Sequence, residues 1–139
     1  MSTKSKRNLS GCPIDYALSV LGDRWSLIIV RDLAIRGAKT YAELLDGWEG
    51  ISTNILAQRM RHLESNGIVE KRKNPANWRS SIYELTPKGR DLAPVLAEII
   101  LWGGAYNESD SPKNEAYDTV KSDRAKFEAA IRENDEIAQ

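Results

Sequence analysis

Two groups of residues in this 139-residue chain could do chemistry by their type and spacing. The first is a row on one segment: at 100° per residue, Asn54, Ala57, Gln58, Arg61 and Ser65 fall on one side of a helix, opposite Leu56, Met60 and Leu63. Amide and guanidinium groups in such a row match base edges, Arg with guanine and Asn or Gln with adenine. Ser52 and Thr53 open the same helix and join Asn54, Gln58 and Arg61 as candidates for the major groove of double-stranded DNA. The second group is Lys73, Asn77, Arg79 and Ser80, around a loop rich in turn formers and suited to phosphates or the minor groove. Trp78 in that loop has three readings, a wedge, a partner contact or a lid on the hairpin, and the lid is favoured because an unbound, exposed indole is costly. Arg59 falls beside Ile55 and Leu63 on the margin of the apolar face. Two roles are open to it, an ion pair with a nearby carboxylate or a phosphate contact at the helix flank.

Catalytic chemistry finds no machinery. There is no G-x-S-x-G, H-E-x-x-H, Walker or Rossmann pattern, so no enzyme and no cofactor are expected. His62, the only histidine, lacks a second ligand for a metal and reads as a half-buried or exposed helix residue. Cys12, the only cysteine, cannot form an internal disulfide and fits a reducing cytoplasm. It precedes Pro13 at a helix start, where free N–H groups stabilise a thiolate, and Lys4, Lys6 and Arg7 add positive potential. Its two readings are a small hydrophobe and a thiol that senses oxidants or electrophiles.

Net charge is zero, yet its distribution is uneven: residues 1–102 hold 15 basic and 11 acidic side chains, residues 103–139 hold 5 and 9. Between Arg59 and Arg90 the count is 8 basic to 3 acidic, an asymmetry that flags nucleic-acid contact. Purely apolar runs such as Leu27 to Val30 are far short of the about 20 residues a membrane span needs. No apolar stretch follows the basic N-terminus, so a secretory leader is not expected.

Local signals give the elements that must position these groups. A helix is expected from Pro13 to about Leu21, with Ile14, Ala17, Leu18 and Leu21 on one face. Asp23 can cap a second, Arg24 to about Ile35, apolar around most of its circumference and so central to the core. Thr40 and Glu43 fit a capping box for a short helix ending near Leu45. Ser52 caps the polar-row helix, Thr53 to about Asn66, and Gly67 ends it. Ile68–Lys73 and Ser80–Leu85 read as a hairpin. Thr86-Pro87 opens a helix to about Trp102, which Gly103-Gly104 breaks. After a linker at 109–112, a last helix runs from about Asn114 to Arg132, with Tyr117, Val120, Phe127 and Ile131 at helical spacing. The fold class is mainly α with a small β-hairpin: a winged helix-turn-helix.

Several stretches together resemble the HxlR-type transcriptional regulators. They are Cys12-Pro13-Ile14, Leu21 to Ile29, Arg31-Asp32-Leu33, Tyr41-Ala42-Glu43-Leu44 and Gly50-Ile51-Ser52. The pattern continues through Leu56, Arg59, Leu63-Glu64, Gly67-Ile68-Val69, Tyr83 to Gly89 and Trp102-Gly103. The resemblance implies a bacterial-type, DNA-binding homodimer whose terminal helices form the interface. It also implies, for some members, a sensing cysteine at the position of Cys12. The chain departs from the pattern by continuing about 36 residues beyond Gly103.

The expected organisation is a mobile basic arm at 1–11, a winged helix-turn-helix domain with dimerisation helices at 12–103, and an acidic extension at 104–139. The first helix and the helix ending near Trp102 (Leu96, Ile99, Ile100, Tyr106) are expected to form an isologous interface. The tail would pack across or beside it through Val120, Phe127 and Ile131. The expected function is a sequence-specific regulator binding a pseudo-palindromic operator, with a small molecule or oxidant as effector. Its rivals are a MarR-like small-molecule-responsive regulator and a winged-helix protein-interaction module that binds no DNA.

Overall fold

The computed structural model describes residues 10–108 and 115–133. The expected mobile arm, apart from Ser10 and Gly11, and the expected linker at 109–112 lie outside the described residues. The chain divides into two compact units, residues 1–89 and 90–139.

In the first unit, α1 (Pro13–Leu21) is followed by α2 (Ser26–Arg31), which continues as a π-type turn over Asp32–Arg36. Then come α3 (Tyr41–Leu45), α4 (Thr53–Ser65), β1 (Val69–Lys73) and β2 (Ser81–Leu85), with a short helical turn, α5 (Pro87–Arg90), at the boundary. Capping explains the starts. Asp23 Oδ2 accepts from the amides of Trp25 and Ser26 at 2.8 and 2.9 Å, and this starts α2 at Ser26 rather than Arg24. Thr40 and Glu43 close the capping box in full. Gly67 ends α4 at φ 73°, a left-handed conformation that a side chain would strain.

The core of this unit lies under α4, where Leu56, Met60 and Leu63 are buried together with Ile29, Val30 and Leu44. Trp25, Leu27, Ile28 and Leu33 keep partial exposure, so α2 is not buried around its whole circumference as its composition suggested. With α1 packed on α2 and β2 on the π-type turn that continues it, part of this surface stays open.

The strands pair antiparallel, from Val69 opposite Leu85 to Lys73 opposite Ser81. The Tyr83 amide donates to the Lys39 carbonyl at 2.7 Å, which fixes the hairpin to the segment leading into α3.

A buried acid organises the turn between α3 and α4. Asp32 is 3 % exposed. Its Oδ1 accepts from Arg31 Nε and Nη2 at 2.9 and 2.6 Å, and its Oδ2 accepts from Arg36 Nη2 at 3.2 Å. Arg31 also donates to both carboxylate oxygens of Glu49, at 2.7 and 2.9 Å, and its guanidinium lies 5.4 Å from the centre of the Trp48 ring. Arg36 reaches the Glu43 carbonyl at 2.8 Å.

The second unit consists of α6 (Ala93–Tyr106), α7 (Glu115–Ser122) and α8 (Arg124–Arg132). The single helix expected from Pro87 to Trp102 is interrupted after Arg90 and restarts with Pro94 in its first turn, where a missing N–H costs nothing. It also runs through Gly103-Gly104 instead of breaking there. A Cβ at Gly104 would lie 2.1 Å from Tyr117 Cδ1, so this glycine makes room for α7 rather than ending α6. The expected 103/104 boundary therefore falls inside a helix.

The last helix is split at Asp123, whose carboxylate accepts from the Lys126 amide at 3.1 Å and caps α8. Val120, Phe127 and Ile131 are buried within this unit, where α6 packs against both tail helices. The tail thus packs beside α6 of its own chain. Arg124, which interrupts the apolar spacing, bridges Glu128 and Glu98 at 2.6 and 2.5 Å. No helix among the described residues is long and apolar enough to cross a membrane.

Removing a carboxylate that serves two guanidinium groups takes a counter-charge from each. Asp32→Ala is expected to cost about 3 kcal/mol, the lower end for a broken buried pair because both arginines are part-exposed and Arg31 retains Glu49. The urea midpoint should fall with an unchanged slope.

Candidate nucleic-acid interface

The polar row of α4 is held outward by what lies beneath it. Leu56 and Leu63 are wholly buried, which fixes the rotation of the helix, and Thr53, Asn54, Gln58 and Arg61 are all exposed. Their side chains make no hydrogen bond or ion pair among the described residues. Ser52 is partly committed, because its Oγ accepts the Ile55 amide at 3.2 Å as the helix cap. The Tyr41 hydroxyl donates to the Thr53 carbonyl at 3.1 Å and ties α3 to the first turn of α4. Burial pushes the Tyr41 phenol above its ordinary value, Tyr83 adds to this, and the Arg61 charge opposes it.

Arg59 takes the first of its two roles. Its Nη1 lies 3.1 Å from Asp23 Oδ1, so it joins α4 to the cap of α2. Burial acts to raise the Asp23 carboxyl, but the Ser26 hydroxyl, the Trp25 and Ser26 amides and the Arg59 charge together hold it below the usual range. His62 is structural as well, with Nε2 donating to the Val20 carbonyl at 2.9 Å and fastening α4 to the end of α1. From the other end of α4, Lys88 Nζ donates to the Asn66 carbonyl and the Tyr16 hydroxyl, both at 2.8 Å.

On the hairpin, Lys73, Asn77 and Arg79 are exposed. Ser80 is less available, since its Oγ accepts from Asn74 Nδ2 at 3.0 Å inside the loop. Trp78 is not a lid: it is 75 % exposed, and nothing apolar beneath the tip receives it. Lys71, not singled out from the sequence, lies two residues before Lys73 on the same strand face, exposed and without a carboxylate partner among the described residues. The period-two alternation of β1 was the available signal.

Cys12 is exposed and occupies the N-cap position of α1. The amides of Asp15 and Ile14 face its sulfur without closing a cap hydrogen bond, and they hold the thiol below its ordinary value. It is therefore not the half-buried hydrophobe of its other reading.

A helix pair with a solvent-facing second helix, followed directly by a basic two-stranded wing, defines the winged helix-turn-helix transcriptional regulators. A family model described as HxlR-like helix-turn-helix matches residues 20–111, and the chain belongs to that family. Its relatives include the HTH-type transcriptional regulator YodB of Bacillus subtilis, 37 % identical over 98 residues, spanning 70 % of this chain and 87 % of that one. The HTH-type transcriptional regulator sll1512 of Synechocystis is 34 % identical over 100 residues, 72 % of this chain and 73 % of that one.

Among solved structures, the reduced form of YodB from B. subtilis superposes with a TM-score of 0.57 at 34 % identity, covering 70 % of this chain and 95 % of that chain. The redox regulator HypR in its oxidized form gives 0.60 at 27 %, covering 70 % and 100 %. YodB has also been solved bound to a quinone.

A lowered thiol pKa has a kinetic signature. The rate of Cys12 alkylation by iodoacetamide should fall as pH drops, with its midpoint below the about 8.5 of an ordinary cysteine. A midpoint at or above that value would mean that the helix start does not activate the thiol.

Proposed function

We propose that this regulator binds double-stranded DNA as a homodimer at a pseudo-palindromic operator in the cytoplasm, has no catalytic activity, and responds to oxidants or electrophiles through Cys12. The observation that carries the DNA reading is the set of exposed, uncommitted Asn54, Gln58 and Arg61 side chains on a helix whose other face is locked in the core. In this reading Ser52, Thr53, Asn54, Gln58 and Arg61 face the major groove. Lys73, Asn77, Arg79 and the less available Ser80 hold the backbone, joined by Lys71. Arg59 acts through Asp23 rather than on a phosphate.

Dimerisation is supported by apolar side chains that a lone chain leaves in water: Ile14 and Leu18 on α1, at 70 % and 60 % exposure, and Ile99, Trp102 and Tyr106 on α6. The two-fold axis would set the half-sites roughly 34–36 Å apart. The effector reading is supported by the exposed thiol, held below its ordinary value by the Asp15 and Ile14 amides, and by relatives of which one is a redox regulator and another is solved with a quinone bound.

Binding to mixed-sequence duplex should weaken steeply with salt, log affinity falling by about 0.9 per phosphate contacted against log salt. Absence of binding at low salt would favour the protein-interaction module. On the operator recovered by in vitro selection, Arg61→Ala should reduce discrimination against random DNA by about 1–3 kcal/mol. An equal loss on both duplexes would assign Arg61 to phosphate. Treatment with a quinone or a mild oxidant should change operator affinity in the wild type and leave Cys12→Ser unaffected. Identical behaviour of the two proteins would make Cys12 structural.

A further inference from the structure

Trp78 is the most exposed large apolar side chain among the described residues, and the loop around it is built to keep it so. The Asn74 amide donates to the Ser80 carbonyl at 3.3 Å, the Asn77 amide to the Asn74 carbonyl at 3.1 Å, and the Ser80 amide to the Asn77 carbonyl at 3.0 Å. Asn74 Oδ1 accepts from the Ala76 amide at 2.9 Å, and Asn77 Oδ1 accepts from the Arg79 amide at 3.1 Å. These are two successive Asx turns, and with them the amides of Asn74, Ala76, Asn77, Arg79 and Ser80 are met inside the loop. A partner that takes the indole has little ordering entropy left to supply.

The surroundings say what kind of partner that is. The Arg79 guanidinium lies over the Trp78 ring, 5.3 Å from its centre, so the indole carries a cation on one face and forms a positively faced blade. Lys71 and Lys73 are exposed on one face of β1, without carboxylate partners among the described residues. On the other face Arg72 is already matched by Glu84 at 3.0 Å. An apolar blade flanked by free cations fits a narrow slot walled by phosphates, the form of the minor groove of duplex DNA. The reach agrees. Five strand residues at about 3.3 Å each carry the tip about 17 Å from the end of α4. That is about half of the 34–36 Å helical turn and hence the step from a major groove to the neighbouring minor groove.

We propose that Trp78, with Arg79 stacked on it, is a wedge that enters the minor groove beside the half-site read by α4 and partly unstacks one base step there. The proposal rests on the DNA-binding reading above and adds a second source of specificity to it. An inserted apolar side chain works against base stacking, and pyrimidine–purine steps such as TA and CA/TG yield most easily. The regulator would therefore select its operator partly by the deformability of a flanking step at which it makes no base-edge hydrogen bond.

The test is a parallel in vitro selection from a randomised duplex library with the full-length wild type, Trp78→Phe and Trp78→Ala, each checked for an unchanged melting curve. All three should recover the same inner half-site, because α4 is untouched. Wild type and Trp78→Phe should also enrich a pyrimidine–purine step at a fixed distance outside it, and Trp78→Ala should not. Replacing that step with GG should weaken the wild type about tenfold and Trp78→Ala less than about twofold. With 2-aminopurine at the step, fluorescence should rise when the wild type binds and stay flat with Trp78→Ala.

Retention of the flank preference and of the fluorescence rise by Trp78→Ala would overturn the wedge while leaving DNA binding intact. Loss of dimer mass in sedimentation by Trp78→Ala, with its flank preference unchanged, would overturn it in favour of a protein–protein contact. A wild type that recovers no sequence at low salt would remove the DNA-binding reading itself, and the wedge with it.

Discussion

The placement of the helix-turn-helix depends on one carboxylate. Asp32 lies in the π-type turn that ends the central helix, out of water and between Arg31 and Arg36. Each arginine then reaches a different part of the segment around α3, Arg31 to Glu49 and Arg36 to the Glu43 carbonyl. The core helix is in this way bound to α3 itself and to the turn after it by charge-assisted bonds whose geometry tolerates little rotation. Crowding adds to the constraint, since a Cβ at Gly47 would come within 3.1 Å of Asp32 Oδ2. A buried ion pair of this kind is weak as a source of net stability and effective as a register. Here it ties the end of the core helix to α3 and to Glu49, shortly before Ser52 begins the helix that carries Asn54, Gln58 and Arg61.

Much of this arrangement was legible in the sequence because it rests on local chemistry. Thr40 with Glu43, Ser52, Gly67 and Thr86-Pro87 are capping and turn signals that act within four residues, and each marks a true element boundary. The outward row of α4 followed from the spacing of Leu56, Met60 and Leu63 alone. Other features depend on residues distant in the chain and carry no local mark. Gly104 looks like a helix breaker until Tyr117 is brought against it. Arg124 looks like a fault in an apolar stripe until Glu98 and Pro94 of α6 lie beside it. Trp78 was expected to cover the hairpin on the general ground that indoles avoid water, but the tip offers no apolar surface to cover.

The C-terminal unit shows how a helix can take on a packed extension and still keep apolar residues in water. Helix α6 has apolar residues on more than one side. Ala93, Leu96 and Ala97 are buried, with the tail helices packed on α6, while Ile99, Trp102 and Tyr106 remain exposed. The tail thus takes a face of its own. The attachment uses basic residues of the tail, Arg124 held by Glu98 of α6 and Arg132 held by Asp91 at 2.9 Å.

The self-sufficient hairpin tip has a consequence for how such a protein can change. Asn74, Asn77 and Ser80 supply the side-chain bonds that shape the loop, and the side chains of Pro75, Ala76, Trp78 and Arg79 supply none of them. The positions that build the tip are therefore separate from the positions that meet its surroundings. Substitutions at 78 and 79 are, in effect, exchanges of a tool on a fixed handle. A lineage could alter what its wing grips one residue at a time while the handle kept its form, and new binding preferences would then arise without passing through a misfolded intermediate.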